Sequence, residues 1–338
     1  MHLMADPHDP GFEAAGELAE GVQGAAAHPI KVRRGGEVRA GTASWTDPTM
    51  TARGVFYPSS ATSAEDRLRY YAEQFSVVEV DATYYALPQA RQAELWTKRT
   101  PDGFVFDIKA HALLTGQPSE VKRLPKDLRE ALPKELAEKA RVYGKDFPPE
   151  LMDAVWSRFL EGIEPLHKAG KLGAVFLQFP RWVFPSHEAR ELIRRAQDRL
   201  GDRRLTVEFR HASWFNEKNA ERTLRFLTDQ KVPYVIVDEP QGFKSSVPPV
   251  AVVTSPDLAV FRFHGQNADT WEKPNIPPNE RFRYLYDEDQ LADWAGRVAE
   301  VARSARETHV LMNNCSGNYG TTNAMQLADL LRQYAVRN

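Results

Sequence analysis

The sequence has little of three features that would place it in a special class of protein. Only one of its 338 residues is cysteine, Cys315, which excludes an internal disulfide and is typical of a reducing compartment. No apolar run approaches the ~20 residues that span a bilayer, so we expect no membrane partner. The first residues do not have the basic-then-apolar pattern of a signal peptide. We therefore expect a cytoplasmic protein.

Neither sign of charge is in excess, since 44 Lys and Arg residues stand against 46 Asp and Glu residues and the formal net charge is −2. This balance argues against capture of nucleic acid by the whole surface, although it leaves a local basic groove open. An aromatic content of 10% is typical of a globular protein. The length fits one large α/β domain or two smaller ones, and it does not predict an oligomeric state.

Residues 1–36 differ in composition from the rest of the chain. They are rich in Ala, Gly, Glu and His and are interrupted by Pro7, Pro10 and Pro29. No strand pattern is visible there, so we predict a disordered, flexible N-terminal arm. The folded domain is predicted to cover residues 37–338.

Eight strand-like runs follow the arm. They are Val38–Trp45, Val77–Tyr85, Phe104–Ala110, Ala174–Phe179, Leu205–Arg210, Tyr234–Glu239, Leu258–His264 and Val310–Asn314. Segments with the apolar periodicity of an amphipathic helix separate most of these runs. In the first such helix, Ser63 and Asp66 form a capping pair at the N-terminus. Eight strand–helix units favour a single α/β domain with a (β/α)8 TIM-type barrel over an open doubly wound sheet.

Two segments interrupt the repeat. Residues 240–257 are rich in Pro, Gly and Ser and predict an irregular crossover. Residues 111–150 form a long charged insertion after the third strand, which in a barrel would lie over the carboxyl-terminal face. Either it is a lid or substrate-gripping arm, or it is a solvated decoration.

The strand ends carry polar side chains that would converge at the carboxyl-terminal face, where barrel enzymes work. The candidates for acid–base catalysis are Glu208, Asp81 and His264. The candidates for substrate binding are Lys109, Arg210, Arg262, Asn313, Asn314, Gln178, Trp214 and Tyr84. The deeper Glu79 and Asp107 are interpreted as ion pairs that fill the interior. Trp214 and Tyr84 stand just beyond strand ends, where aromatic rings either stack on sugars or bases or cap the barrel.

The segment 313–323 follows the last strand and contains two glycines and several hydroxyl residues before a helix begins. Such a loop predicts an anion cradle built from backbone amides, although a simple helix cap explains the pattern equally well. The cations Lys109, Arg210 and Arg262 favour an anionic ligand.

No metal site is predicted. His111, His211 and His264 fall near strand ends, but no HxH or HExxH spacing accompanies them. A divalent metal is kept as an alternative, with these three imidazoles and the carboxylates of Asp81, Glu208 and Asp238 as its candidate ligands. No cofactor is predicted, because no Walker loop or GxGxxG follows a strand.

Nine short segments between about Arg39 and Leu331 match those of a known family and occur in the same order along the chain. They are Gly41–Trp45, Phe56–Pro58, Val78–Tyr85, Phe176–Pro180, Val207–His211, Val237–Pro240, Phe261–Gly265, Tyr284–Tyr286 and Asn313–Asn314. Together they resemble the domain-of-unknown-function-72 family, also called YecE-like. The resemblance implies a TIM-type barrel but no reaction. Because that barrel is similar to the endonuclease IV and xylose isomerase type, the resemblance also suggests metal-dependent phosphate or sugar chemistry.

Three functions fit these patterns. The favoured one is an enzyme that acts by acid–base chemistry on a small phosphorylated or otherwise anionic, sugar-like substrate. Whether it is a hydrolase, a lyase or an isomerase is not resolved. The second is a metal-dependent phosphodiesterase acting on nucleic acid, a partner that we do not favour. The third is a non-catalytic module that binds an anionic metabolite.

Overall fold

The computed structural model describes residues 9–336, which form eleven strands and twelve α-helices. The strands are β1 (Ile30–Lys31), β2 (Glu37–Thr42), β3 (Val77–Val80), β4 (Val105–Lys109), β5 (Pro118–Glu120), β6 (Arg141–Tyr143), β7 (Leu172–Gln178), β8 (Leu205–Glu208), β9 (Val235–Asp238), β10 (Leu258–Phe263) and β11 (Glu307–Met312). The helices are α1 (Pro10–Glu20), α2 (Ala64–Gln74), α3 (Ala82–Tyr85), α4 (Ala90–Arg99), α5 (Lys126–Glu130), α6 (Lys134–Ala137), α7 (Pro149–Lys168), α8 (His187–Leu200), α9 (Ala220–Gln230), α10 (Pro278–Arg281), α11 (Glu288–Ala302) and α12 (Tyr319–Leu331).

Eight of these strands, β2, β3, β4 and β7–β11, correspond in order to the eight predicted runs. Helices follow in alternation, and α2 begins with the predicted capping box: the side chain of Ser63 accepts from Asp66 N, and the side chain of Asp66 accepts from Ser63 N. The α/β fold of a (β/α)8 TIM-type barrel is therefore confirmed. The crossover between β9 and β10 contains no described helix or strand, as its composition predicted.

The chain divides into two compact units. Unit 1 comprises residues 1–79 and 212–338, and unit 2 comprises residues 80–211. Within unit 1, β3, β2, β11, β10 and β9 pair in this order as parallel neighbours. Within unit 2, β7 pairs in parallel with both β4 and β8. Parallel strands covered by helices are apolar on most positions, and every residue of β3, β8, β9 and β10 is buried.

The second barrel strand ends earlier than predicted. Strand β3 stops at Val80, and Asp81 already has helical backbone angles, φ −77° and ψ −27°. The hydroxyl of Thr83 lies 2.9 Å from the carbonyl of Val80 and 2.6 Å from the carbonyl of Lys109, and it can donate its one proton to either. The prediction of a strand as far as Tyr85 was wrong, because a side-chain hydrogen bond to the backbone favours a turn where alternation alone suggests a strand.

The prediction of a disordered arm was wrong for residues 9–36; residues 1–8 lie outside the described part of the chain. The carboxylate of Asp9 accepts from Gly11 N at 2.9 Å and caps α1, and Pro10 takes the first helical position. Phe12, Ala15 and Ala19 are buried on one face of α1. Farther along, β1 pairs antiparallel with β2 and extends the sheet of unit 1.

The insertion 111–150 is folded rather than a loose charged loop. Its strands β5 and β6 pair antiparallel, and the short helices α5 and α6 lie between them. It has an apolar interior made of Leu124, Leu128, Leu132, Leu136 and Val142, all buried. Such burial stabilises the segment, so its charged residues occupy a defined surface.

Within the described residues, no helix combines the length and apolar character needed to cross a membrane.

Candidate functional site

The last residues of three neighbouring strands in unit 2 are polar. They are Lys109 on β4, Gln178 on β7 and Glu208 on β8. The register places Gln178 beside Glu208 and Lys109 beside Phe176, so the three residues lie at the same edge of the sheet. In a TIM-type barrel this edge is the catalytic face.

The ammonium group of Lys109 lies between a carboxylate and an aromatic ring. Its Nζ donates to Oδ1 of Asp81 at 2.8 Å and lies 5.1 Å from the centre of the Tyr84 ring. The Lys109 side chain is 12% exposed, whereas Asp81 is 36% exposed. Burial raises the pKa of Tyr84 to about 12, although the charge of Lys109 acts in the opposite direction. Tyr84 is therefore a neutral hydrogen-bond donor near pH 7.

The carboxylate of Glu208 is completely buried and is held by two donors. Its Oε1 accepts from Nε2 of Gln178 at 2.7 Å and from Nη1 of Arg210 at 3.1 Å. The Arg210 side chain is 18% exposed. Glu208 therefore orients Arg210, which lies nearer to solvent than its partner.

Gln117, in the insertion, connects these groups. Its Oε1 accepts from the Tyr84 hydroxyl at 2.7 Å, and its Nε2 donates to the carbonyl of Gln178 at 3.1 Å. The insertion therefore begins at the strand ends of unit 2. No sequence motif pointed to Gln117, which directly follows a turn at Gly116, where φ is +80°.

We call this group the β4–β8 cluster. It contains Asp81, Tyr84, Lys109, Gln117, Gln178, Glu208 and Arg210. Six of these residues were predicted from the sequence. Within unit 2, hydrogen bonds connect Tyr84 through Arg210, and the cation–π contact of Lys109 with Tyr84 joins the ion pair of Lys109 and Asp81 to them.

A second polar group lies at the strand ends of unit 1. Asp238, the last residue of β9, accepts from the Tyr286 hydroxyl at 2.6 Å and from Nε2 of Gln266 at 3.0 and 3.1 Å. Burial raises the pKa of Asp238, and these two hydrogen bonds oppose that rise. Tyr286 and Gln266 were not predicted as site residues.

His264, the predicted acid, is buried just after β10. Its Nδ1 lies 2.8 Å from Nδ2 of Asn313, and its ring packs 6.0 Å from Trp271 and 5.8 Å from Phe282. An amide nitrogen can only donate, so Nδ1 of His264 is the acceptor in its contact with Asn313. Its role as an acid stays a prediction.

Arg262 does not lie at a strand end with open access to a ligand. Its Nε and Nη2 donate to the two carboxylate oxygens of Glu79 at 2.8 and 2.9 Å, and both side chains are at most 1% exposed. This bidentate pair fills the interior of unit 1, as we predicted for Glu79. For Arg262 we predicted substrate binding, and the structure instead gives it this internal partner.

Trp214 was predicted to line the site, and this was wrong. The residue is completely buried in unit 1, so its ring packs in the core and cannot stack on a ligand. Trp45, Trp271 and Tyr319 are also at most 7% exposed. In unit 2, by contrast, Tyr85 and Trp182 are 48% and 49% exposed.

The loop after β11 is not an open anion cradle. The amide of Gly317 donates to Oγ1 of Thr49 at 2.8 Å, and the amides of Ser316 and Tyr319 donate to carbonyls within the loop. The ring of Phe12 lies directly over Gly317, where a Cβ would come within 2.3 Å of it. These amides have partners and α1 covers the loop. The loop leads into α12 at Tyr319, but Asn318 makes no side-chain cap hydrogen bond, so the helix cap that was the alternative explanation is not seen either.

Asn314, also a candidate for substrate binding, is completely buried beneath that loop. Its Nδ2 donates to the carbonyl of Tyr284 at 2.8 Å and to Oδ1 of Asn323 at 2.9 Å. These contacts connect the end of β11 to α12, so the structure gives Asn314 a positioning role.

Among residues 9–336, no three His, Cys, Asp or Glu side chains group in a way that could hold a metal ion.

Comparison with known sequences agrees with this architecture. The family model described as "Protein of unknown function DUF72" matches residues 39–337. The UPF0759 protein YunF of Bacillus subtilis is 32% identical over 278 residues, which cover 81% of this chain and 89% of that protein. The UPF0759 protein YecE of Escherichia coli O157:H7 is 27% identical over 243 residues, covering 67% of this chain and 74% of that protein.

Solved structures give the same result. A DUF72 family protein from Enterococcus faecalis V583 superposes with a TM-score of 0.69 at 26% identity, covering 87% of this chain and 95% of that one. A DUF72 family protein from Thermotoga maritima MSB8 superposes with a TM-score of 0.68 at 29% identity, covering 87% and 98%. The family match over most of the chain, together with these relatives, shows that the protein belongs to the DUF72 family, as the resemblance of its motifs suggested.

Proposed function

We propose that the β4–β8 cluster is an active site that carries out acid–base chemistry on a small anionic, sugar-like substrate. The observation that carries this proposal is the convergence of Lys109, Gln178 and Glu208, the last residues of three neighbouring strands, at one edge of the sheet. Charged groups at this depth cost free energy unless they are paired, and a barrel reserves this edge for function.

Asp81 and Lys109 form the acid–base pair in this proposal. The carboxylate of Asp81 is the most exposed charged group that we assign to the site, and it lies 2.8 Å from Nζ of Lys109. A general acid or base has to reach the substrate atom that exchanges the proton, and the exposed Asp81 meets this condition better than the buried Glu208. Of the two predicted bases, the geometry therefore favours Asp81.

Arg210 binds the anion, and Glu208 holds the Arg210 guanidinium in position. A guanidinium presents planar paired donors that match carboxylate and phosphate oxygens. The contact of Nη1 with Glu208 fixes the plane of the Arg210 group, and Gln178 in turn fixes Glu208. Tyr84 and Gln178 supply neutral hydrogen-bonding groups suited to sugar hydroxyls.

The test combines binding and turnover with three probes: inorganic phosphate, ribose 5-phosphate and glucose 6-phosphate. We expect at least one probe to raise the melting temperature of the wild-type protein, because a ligand that binds only the folded state stabilises it. Arg210→Lys keeps the charge but loses the planar fork, and we expect it to reduce this rise. Asp81→Asn should keep the rise and lower turnover, followed by NMR, by about 10²- to 10⁴-fold.

Asp127→Asn is the matched control, since Asp127 is a carboxylate of the same unit that pairs with Arg158 on the surface. It should change neither binding nor turnover. If a probe binds through Arg210 but is never converted, the cluster is a binding module and the catalytic assignment of Asp81 is wrong. If none of the three probes stabilises the protein, the assignment of Arg210 to anion binding is wrong.

A further inference from the structure

A cleft in unit 2 combines exposed aromatic rings with arginine side chains. It encloses about 270 Å³, and its lining includes Tyr85, Trp182, Arg123 and Arg141. The two rings are 48% and 49% exposed, and the guanidinium carbon of Arg123 lies 5.6 Å from the centre of the Tyr85 ring. The cleft is also lined by Tyr84 and Gln117 of the β4–β8 cluster, so it adjoins the proposed active site, but the cluster itself does not include these four side chains.

A basic groove of about 590 Å³ adjoins this cleft. The cleft and the groove share Glu120 and Arg141, and the groove adds Lys122, Arg129 and Lys139. Their combined lining therefore carries five cations, Lys122, Arg123, Arg129, Lys139 and Arg141, and one carboxylate, Glu120, a net charge of +4 on a chain whose formal net charge is −2. This local excess predicts attraction for a polyanion at one place on the surface.

The other acids of the insertion do not offset this charge at the lining. Asp127 pairs with Arg158 of α7, and Glu130 lies 3.7 Å from Lys126. The remaining four acids, Glu135, Glu138, Asp146 and Glu150, are exposed, and none of the six lines the cleft or the groove. Glu120 is the common partner of Lys122, Arg123 and Arg141, at 3.3, 3.2 and 4.0 Å. One carboxylate that holds three cations in place leaves the surface strongly positive.

We propose that this surface binds a single strand of nucleic acid, with a base stacked in the aromatic cleft and the phosphates along the basic groove. Aromatic rings interleaved with cations are the combination that single-strand binding proteins use, because every base offers a face for stacking and every nucleotide offers a charge. The cleft accommodates one base, and the adjoining groove favours a polymer over a free nucleotide. A duplex keeps its bases stacked inside and cannot use the exposed rings.

The test measures binding of a fluorescent 12-nucleotide oligothymidine by anisotropy in low salt. Trp182→Ala should weaken binding by about 5- to 150-fold, the range for loss of one stacked base. If all five cations contact phosphates, a plot of the logarithm of affinity against the logarithm of salt concentration should have a slope of about −3 to −4. Lys139→Ala removes one such contact and should reduce the magnitude of this slope by about 0.7.

Two matched controls keep the result specific. Lys126→Ala removes an exposed lysine of the same insertion that lines neither the cleft nor the groove, and it should leave the slope unchanged. Phe184→Ala removes an aromatic ring that is 52% exposed but does not line the cleft, and it should leave affinity unchanged. The melting temperature of each variant checks that the fold is intact.

Several outcomes would overturn the proposal: no binding in low salt, equal affinity for a blunt DNA duplex, or equal affinity for polyglutamate. Thymidine monophosphate competing at the same concentration as the oligonucleotide would show that the cleft binds free nucleotides instead. The result is independent of the proposed catalytic role of Asp81, because Asp81→Asn should bind the oligonucleotide as the wild-type protein does.

Discussion

His111 should make the folded protein sensitive to mild acid. The residue follows β4 and is completely buried, and its Nδ1 accepts the amide of Leu113 at 3.4 Å. Among the described residues, Nε2 has no hydrogen-bond partner. Burial lowers the pKa of His111 to about 4 from its usual 6.5, because a charged imidazolium would lose its hydration there.

The magnitude follows from these two pKa values. The folded state binds fewer protons at His111 than the unfolded state does, so stability is complete above pH 6.5 and is lost as the pH falls toward 4. A difference of about 2.5 pH units corresponds to a limit of about 3 kcal/mol. By pH 5 about 2 kcal/mol of the free energy of unfolding should already be lost, a substantial fraction of an ordinary protein's stability.

Urea unfolding of the wild-type protein and of His111→Asn at pH 7, 6 and 5 tests this expectation. Asparagine can accept from Leu113 N but does not titrate, so other ionisable groups contribute equally to both proteins and cancel in the difference. The wild-type protein should lose about 2 kcal/mol more than the variant between pH 7 and pH 5. Two curves that stay parallel within about 0.5 kcal/mol would refute the reasoning.

Two further predictions concern unit 1. Glu79→Gln should lower the free energy of unfolding by about 3–5 kcal/mol, because it leaves the buried guanidinium of Arg262 without its carboxylate. The double variant Glu79→Leu, Arg262→Met should lower this free energy less, because it removes both charges. A decrease in urea unfolding that is equal to or larger than that of Glu79→Gln would contradict this. Phe12→Ala should release α1 from α12, because the ring of Phe12 packs on Tyr319. Limited proteolysis followed by mass spectrometry should then detect cleavage near residues 10–23 while the remaining chain stays intact. Protection from cleavage equal to that of the wild-type protein would show that Phe12 does not anchor the helix.

The alternation of apolar and polar residues predicted the barrel strands, because the strand backbone points successive side chains to opposite faces and each strand buries its apolar face. The same pattern placed Lys109, Gln178 and Glu208 at strand ends, and the register confirms that edge. It failed at Thr83, whose hydroxyl can donate to the carbonyl of Val80 where the chain turns into α3. A hydrogen bond of this kind competes with the strand and leaves no mark in the hydrophobic period.

Other features depend on contacts between distant residues and could not be found from a local pattern. Trp214 and Trp182 both follow strand ends, yet one is completely buried and the other is 49% exposed. Helix α1 was missed because its apolar face packs against residues distant in the sequence, Tyr319 with Val55 and Leu285. The Asp9 cap and Pro10 at the first helical position were a local signal of that helix.

Because α1 packs on the loop after β11, the folded protein begins well before the region that matches the family. The match to the family begins at residue 39, but Phe12 covers the turn at Gly317, and the side-chain Nδ2 of Asn318 donates to the carbonyl of Phe12 at 3.0 Å. A fragment cut at the family boundary would lose this cover and the ion pair between Asp9 and Arg283. It would expose the ring of Tyr319 to water, and a recombinant form should therefore begin before Asp9.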